Sequence, residues 1–97
     1  MSASNYIDAL AAEIRRHTPI DLVPDAAEDP ALLFRLYALL ALSKGDAVTT
    51  RDIHDAWAVW MAARGEAHES LVPFEQLSSA TQAEDGPFVD AVRAALK

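Results

Sequence analysis

The sequence predicts an all-α fold: a small orthogonal helical bundle of three main helices, short helical turns and a C-terminal helix. Three observations predict it. Apolar residues recur at spacings of three and four along most of the chain. Helix-start residues stand just before these runs, at Asn5, Asp29-Pro30, Thr49 and Asp85. A chain of 97 residues, 52% of them hydrophobic, suffices for one core, so residues 1–97 are expected to form a single domain.

The first helix is expected from about Ser4 to His17, capped by Ser4 or Asn5, with Asp8 suited to the positive end of the helix dipole. Tyr6, Ile7, Leu10, Ile14 and His17 share one face, and Pro19 ends the helix. Residues 18–29 form an acidic loop carrying Asp21, Asp25, Glu28 and Asp29, with Ile20, Leu22 and Val23 expected to pin it down. Asp29-Pro30 is an N-cap followed by proline at the first helical position. The second helix runs from there to Ser43 or Lys44, and Gly45 stops it. Its leucines, with Phe34 and Tyr37, cover nearly the whole circumference, so it is expected to be central and surrounded by others.

The third helix begins at Thr49 or Thr50, where Thr49 and Asp52 have the form of a capping box. Ile53, Ala56, Trp57, Trp60 and Met61 share an arc, with His54 at its edge and Asp55 and Val59 pointing away. The helix ends near Arg64-Gly65. Val72-Pro73 starts a short turn through Leu77, and Ser79 with Gln82 resembles a second capping box. Asp85 is expected to cap the last helix, with Phe88, Val89, Val92, Ala95 and Leu96 inward and Asp90, Arg93 and Lys97 outward.

Net charge is −7, and the eight basic residues are scattered apart from Arg15-Arg16. A phosphate-binding groove needs clustered cations, so nucleic acid is not an expected partner, nor is an anionic membrane. A basic partner is compatible with this charge. The start, MSASNYIDAL, has no basic segment followed by a long apolar one, so no signal peptide is expected. The longest apolar run, ALLFRLYALLAL, is 12 residues with Arg35 inside it, short of the ~20 that span a bilayer. A cytoplasmic location is expected, in keeping with the absence of cysteine.

The chemistry-bearing residues concentrate at 53–77. His54, Trp57, Trp60 and His68 admit two readings. In one, an indole stacks a planar ligand while the imidazoles supply hydrogen bonds. In the other, both Trp residues are core and the His residues satisfy backbone groups. If there is a functional surface, it is expected beside His54 and His68 with Trp57 beneath. His17, His54-Asp55 and Asp85 or Asp90 follow the ligand order of a metal-dependent phosphohydrolase, but Asp55 points away from the arc His54 borders. A helix-turn-helix at Thr49–Trp60 would need a basic recognition helix, and Arg51 and Arg64 are its only cations. The acids of 21–29 lack the spacing of a calcium loop. No phosphate-binding glycine loop, nucleophile elbow or paired-His metal motif occurs. No cofactor, metal or catalysis is expected.

LFRLYALLAL at 33–42, VTTRDIHDAWAVWM at 48–61, HESLVPFEQL at 68–77 and AEDGPFVDAVR at 83–93 resemble a family of short actinomycete proteins with no established activity. In the second half, IHDAW, HESLVPFEQL and the closing amphipathic helix are similar to the ryanodine-receptor repeat, a small helical module. That resemblance marks His54, Trp57, His68 and Phe74 as motif positions and implies sensing of a nucleotide-like ligand. The chain departs from the repeat in having only AARGEA between the two blocks, and Glu69 where the repeat has proline. The expected role is a non-catalytic interaction or adaptor protein that binds another protein or a basic segment. A small-molecule sensor is the alternative, and a metal-dependent phosphohydrolase the third reading.

Overall fold

The computed structural model describes residues 5–97. Its α-helices are α1 Tyr6–His17, α2 Pro30–Lys44, α3 Thr50–Ala63, α4 Ser79–Ala83 and α5 Gly86–Ala95, with 3-10 turns at Ile20–Leu22, Ala26–Glu28, Gly45–Ala47 and Phe74–Gln76. No strand occurs among the described residues, so the fold is all-α as predicted. Among them no helix is long and apolar enough to cross a membrane.

The hub is α2, against which α1, α3 and α5 all pack. Its Leu33, Phe34, Tyr37, Ala38 and Ala41 are buried with Ile14 of α1, Ile53 and Trp60 of α3, and Val89 and Val92 of α5. Phe34 and Tyr37 meet edge to face at 5.7 Å, a favoured aromatic geometry. The cover is partial, however. Leu39 is 57% and Leu42 52% exposed, so α2 is not surrounded on every side. A chain this short cannot wrap its central helix completely.

On α1 the cap is Asn5, whose side chain accepts the Asp8 N–H at 2.8 Å; Ser4 lies outside the described residues. Arg35 of α2 grips the Asp8 carboxylate at 2.6 and 3.2 Å and draws it below the usual carboxylate range. Ala11 and Ile14 are the buried residues of α1, while Tyr6 and His17 are exposed, contrary to the predicted face. His17 lies instead beside Arg16 and Glu13 in an exposed group at the helix end.

The acidic loop also departs from expectation. Ile20 and Leu22 are exposed, and only Val23 packs on the core. Asp25 and Glu28 form a capping box that shapes the turn. Asp29 does not cap α2 through its side chain. It adopts a left-handed conformation, φ 55°, which aspartate tolerates better than most residues. In this position its carbonyl accepts the Trp60 indole N–H at 2.9 Å.

Both helices flanking the site end as predicted. Gly45 follows α2 at φ 58°, ψ −137°, a region open to glycine, and Gly65 follows α3 at φ 70°. The Thr49–Asp52 capping box is present, with Thr49 N–H on Asp52 at 2.9 Å. Replacing Thr49 with alanine is expected to cost about 1 kcal/mol. Urea unfolding checks this; an unmoved midpoint would show the cap to be idle.

Residues 66–78 then fold back over α3. The cap of α4 is Ser78, one residue before the predicted Ser79, because its hydroxyl accepts the Thr81 N–H at 3.2 Å. Gln82 has a different role from the one predicted. It donates to the carbonyls of Phe74 and Leu77 at 3.0 and 3.2 Å, tying α4 to the preceding turn. On α5, Val89 and Val92 are buried as expected, but Leu96 is exposed at the helix end. Arg93 is exposed, yet its guanidinium donates to the carbonyls of Asp46 and Val48, each at 3.2 Å, linking α5 to the α2–α3 turn.

Candidate functional site

The fold-back places 66–78 against the aromatic side of α3. Here the two predicted roles are exchanged. His54 was expected at the edge of the arc with Trp57 inside it; His54 is 4% exposed and Trp57 is half-buried. The reason is a backbone anchor. Nε2 of His54 donates to the Val72 carbonyl at 2.7 Å, drawing the imidazole beneath the returning segment. This pins 72 to α3 and leaves the indole of Trp57 on the outside.

Trp57 is the meeting point of the cluster. His54 stacks on it, with ring centroids 5.6 Å apart and planes at 30°. His68 meets it edge-on at 5.1 Å. Nδ1 of His68 accepts the Ser70 N–H at 2.9 Å, so in the neutral ring Nε2 carries the proton. Phe74 lies 6.1 Å from His54, on the side covered by Arg51, whose guanidinium sits 5.1 Å above the Phe74 ring and pairs with Glu75. His54, Trp57 and His68 therefore line a common cleft, whereas Phe74 supports it from behind.

That cleft has a volume of about 240 Å³ and is completed by Ser70, Leu77, Thr81, Glu84 and Asp85. The Asp85 carboxylate was expected to cap α5. It makes no capping bond, and no hydrogen bond or ion pair is formed by it among the described residues. Burial pushes it up to about 6; the nearby His54 works in the opposite direction and Glu84 adds to the rise.

A second, larger cleft of about 530 Å³ shares Trp57 and His68 with the first. Its far wall is the acidic loop, with Asp21, Asp25 and Glu28 facing Trp60, Met61, Arg64 and Glu66. Arg64 is its one cation among the described residues, and it is already engaged. It lies 4.6 Å above the Trp60 ring, 3.0 Å from Glu66 and 3.8 Å from Glu28.

Other candidate ligands are not brought together. Asp55 is exposed and His17 ends α1. No group of three or more His, Asp or Glu among the described residues could hold a metal ion. Arg51 of α3 and Arg64 just after its end are both held by carboxylates, Arg51 by Glu75 and Arg64 by Glu28 and Glu66.

Sequence reasoning missed Ser70 and Leu77, which lie in the returning segment, and Thr81, Glu84 and the second role of Asp85, which come from α4 and its exit. For Glu84 and Asp85 the one local signal is the acidic AEDGP at the boundary of α4 and α5, which has the same form as an ordinary cap.

No curated protein and no solved structure matches the chain. A family model described as a domain of unknown function (DUF7701) matches residues 5–97, and the chain belongs to that family.

Proposed function

We propose that this chain is a non-catalytic interaction module that binds a basic segment of a partner protein across the two clefts that meet at Trp57 and His68. One observation carries the reading: the charge of these clefts. The smaller is lined by Glu84 and Asp85, the larger by Asp21, Asp25, Glu28 and Glu66. The single arginine between them is already paired. Apolar surface from Trp57, Leu77, Leu22 and Val23 lies among these carboxylates. Lysine and arginine side chains combine an alkyl stem with a cationic head, and such a surface suits both parts.

Fluorescence polarisation with labelled ten-residue peptides tests this. A Gly/Lys/Arg peptide is expected to bind at 50 mM salt and weaken steadily toward 300 mM, as screened charge pairs do. A Gly/Glu peptide of equal length is expected not to bind. Equal affinity for both peptides, or none for the basic one, would sink the proposal.

The small-molecule alternative draws support from the stacked His54–Trp57 wall of the smaller cleft. Nucleotide phosphates would meet Glu84 and Asp85 with no cation in the lining, so an uncharged or cationic heterocycle fits better. A ligand of that kind would raise the melting temperature by mass action.

A further inference from the structure

We infer that the smaller cleft is a pocket for a single primary ammonium on an alkyl stem, a lysine-type side chain, with Asp85 as its anchor. This rests on the basic-segment reading above and specifies where one cation of that segment goes. Three features lead to it.

The first is the size and wall of the cleft. About 240 Å³ is below the ~300–1,000 Å³ usual for drug-sized ligands and suits one long side chain. Trp57 and Leu77 supply the surface along which an alkyl stem packs, and the indole face attracts a cation.

The second is what Asp85 does not do. It occupies the N-cap position of α5, where an aspartate ordinarily bonds the first free N–H groups, yet its carboxylate makes no such bond. Among the described residues every buried side-chain nitrogen or oxygen has a partner. The carboxylate oxygens of Asp85, having none, are therefore accessible to solvent, on a residue that lines the cleft. The groups around them offer little compensation. Glu84 precedes it with a like charge, the buried phenol of Tyr37 on α2 is held neutral by burial and by the Asp85 charge, and only His54 of α3 works in its favour.

The third is the inventory of acceptors. Nε2 of His54 is committed to the Val72 carbonyl. By the same burial argument Nδ1 is accessible to solvent on a residue that lines the cleft, and in the neutral ring it is an acceptor. The cleft thus offers the Asp85 carboxylate, an imidazole nitrogen and the hydroxyls of Ser70 and Thr81, with Glu84 at its exposed side. An ammonium has three donors that rotate to meet acceptors from several directions. A guanidinium instead needs a flat, two-pronged carboxylate face.

Titration of the full chain with Nα-acetyl-lysine methylamide, followed by NMR at the Trp57 indole N–H and the Thr81 amide, tests this. The probe is expected to shift both signals. Its Nε-acetylated form, which lacks the charge, is expected to bind at least about tenfold more weakly, a difference of ~1.4 kcal/mol. Asp85→Asn is expected to weaken the lysine probe to a similar degree, and Glu84→Gln by less than about threefold, since Glu84 stays in water. Asp85→Asn is also expected to melt at a higher temperature at pH 7, a gain that loss of a structural contact would not produce.

Equal binding of the charged and acetylated probes overturns the assignment, as does unaltered binding by Asp85→Asn or tighter binding of the arginine analogue. Should Asp85→Asn fail to fold, the comparison of the two lysine probes on the natural chain decides alone. The peptide assay separates the two proposals. A basic peptide that still binds while Asp85→Asn is without effect removes the anchor and leaves the interaction module standing. Failure of every basic peptide removes both.

Discussion

Trp60→Ala is expected to destabilise the chain by about 3–5 kcal/mol, as truncation of a large buried aromatic does. Trp60, not Trp57, is the indole of the core. It is 3% exposed, lies under the Arg64 guanidinium, and donates to the Asp29 carbonyl. That last bond has a consequence beyond its own strength. Asp29 is left-handed ahead of a proline, a conformation that costs on the order of 1 kcal/mol or more and persists where the surroundings hold it. Removing the indole releases both the packing and the hold on the acidic loop. Trp60→Phe keeps an aromatic ring but loses both the donor and the volume of the pyrrole portion, so about 1–3 kcal/mol is expected. Trp57→Ala, with a half-buried ring, is expected to cost about 1–2 kcal/mol and to act mainly on binding. Urea unfolding of the three variants checks the order. A larger loss from Trp57 than from Trp60 would show that the packing is described wrongly.

Asp85→Asn is expected to have the opposite sign. The folded carboxyl is raised by burial from 3.8 to about 6. A raised carboxyl means that the folded state holds its proton more tightly than the unfolded chain does. Its stabilising contribution is therefore complete below about pH 4 and is lost as pH rises through about 6. A rise of that size would correspond to about 3 kcal/mol for a fully buried group, but this one is partly in water, so about 1–2 kcal/mol is expected at pH 7. Asparagine is isosteric with the protonated acid and carries no charge. The variant should be more stable by that amount at pH 7 and equal to the natural chain near pH 4. The natural chain should lose stability between pH 4 and 6 through Asp85, and the variant should lack this component. Thermal unfolding at several pH values measures it. A destabilised Asp85→Asn at pH 7 would mean that the carboxylate has a partner in the fold. Charged groups that cost stability and sit in a cleft are characteristic of binding sites, where a ligand supplies the missing countercharge.

The architecture was legible because local signals agreed with the global pattern. Pro30 and Gly45 bracket α2, the Thr49–Asp52 box opens α3, and the Val72-Pro73 corner returns the chain over it. Misplacements arose where a residue had two possible partners. Asp29 and Asp85 have the form of caps, yet one turns its carbonyl to an indole 31 residues away and the other faces a cleft. Helical spacing placed His54 and Trp57 on adjacent stripes, but only the returning segment decides which is covered, through the Val72 carbonyl. Leu39 and Leu42 satisfy an all-round apolar pattern that the short chain does not have enough neighbours to bury. The candidate site was half legible for the same reason. Its α3 half follows from spacing, whereas Leu77, Thr81, Glu84 and Asp85 reach it by tertiary folding.

The most direct test of the central claim is a map of where a basic segment docks. The ¹⁵N-labelled chain is titrated with an unlabelled Gly/Lys/Arg peptide, and amide and indole shifts are followed by NMR. The account predicts that the largest shifts fall on Trp57, His68, Thr81 and residues 21–28, the walls of the two clefts, and that they shrink as salt rises. Shifts centred instead on the exposed Leu39–Leu42 face of α2, or larger shifts from a Gly/Glu peptide than from the basic one, contradict it.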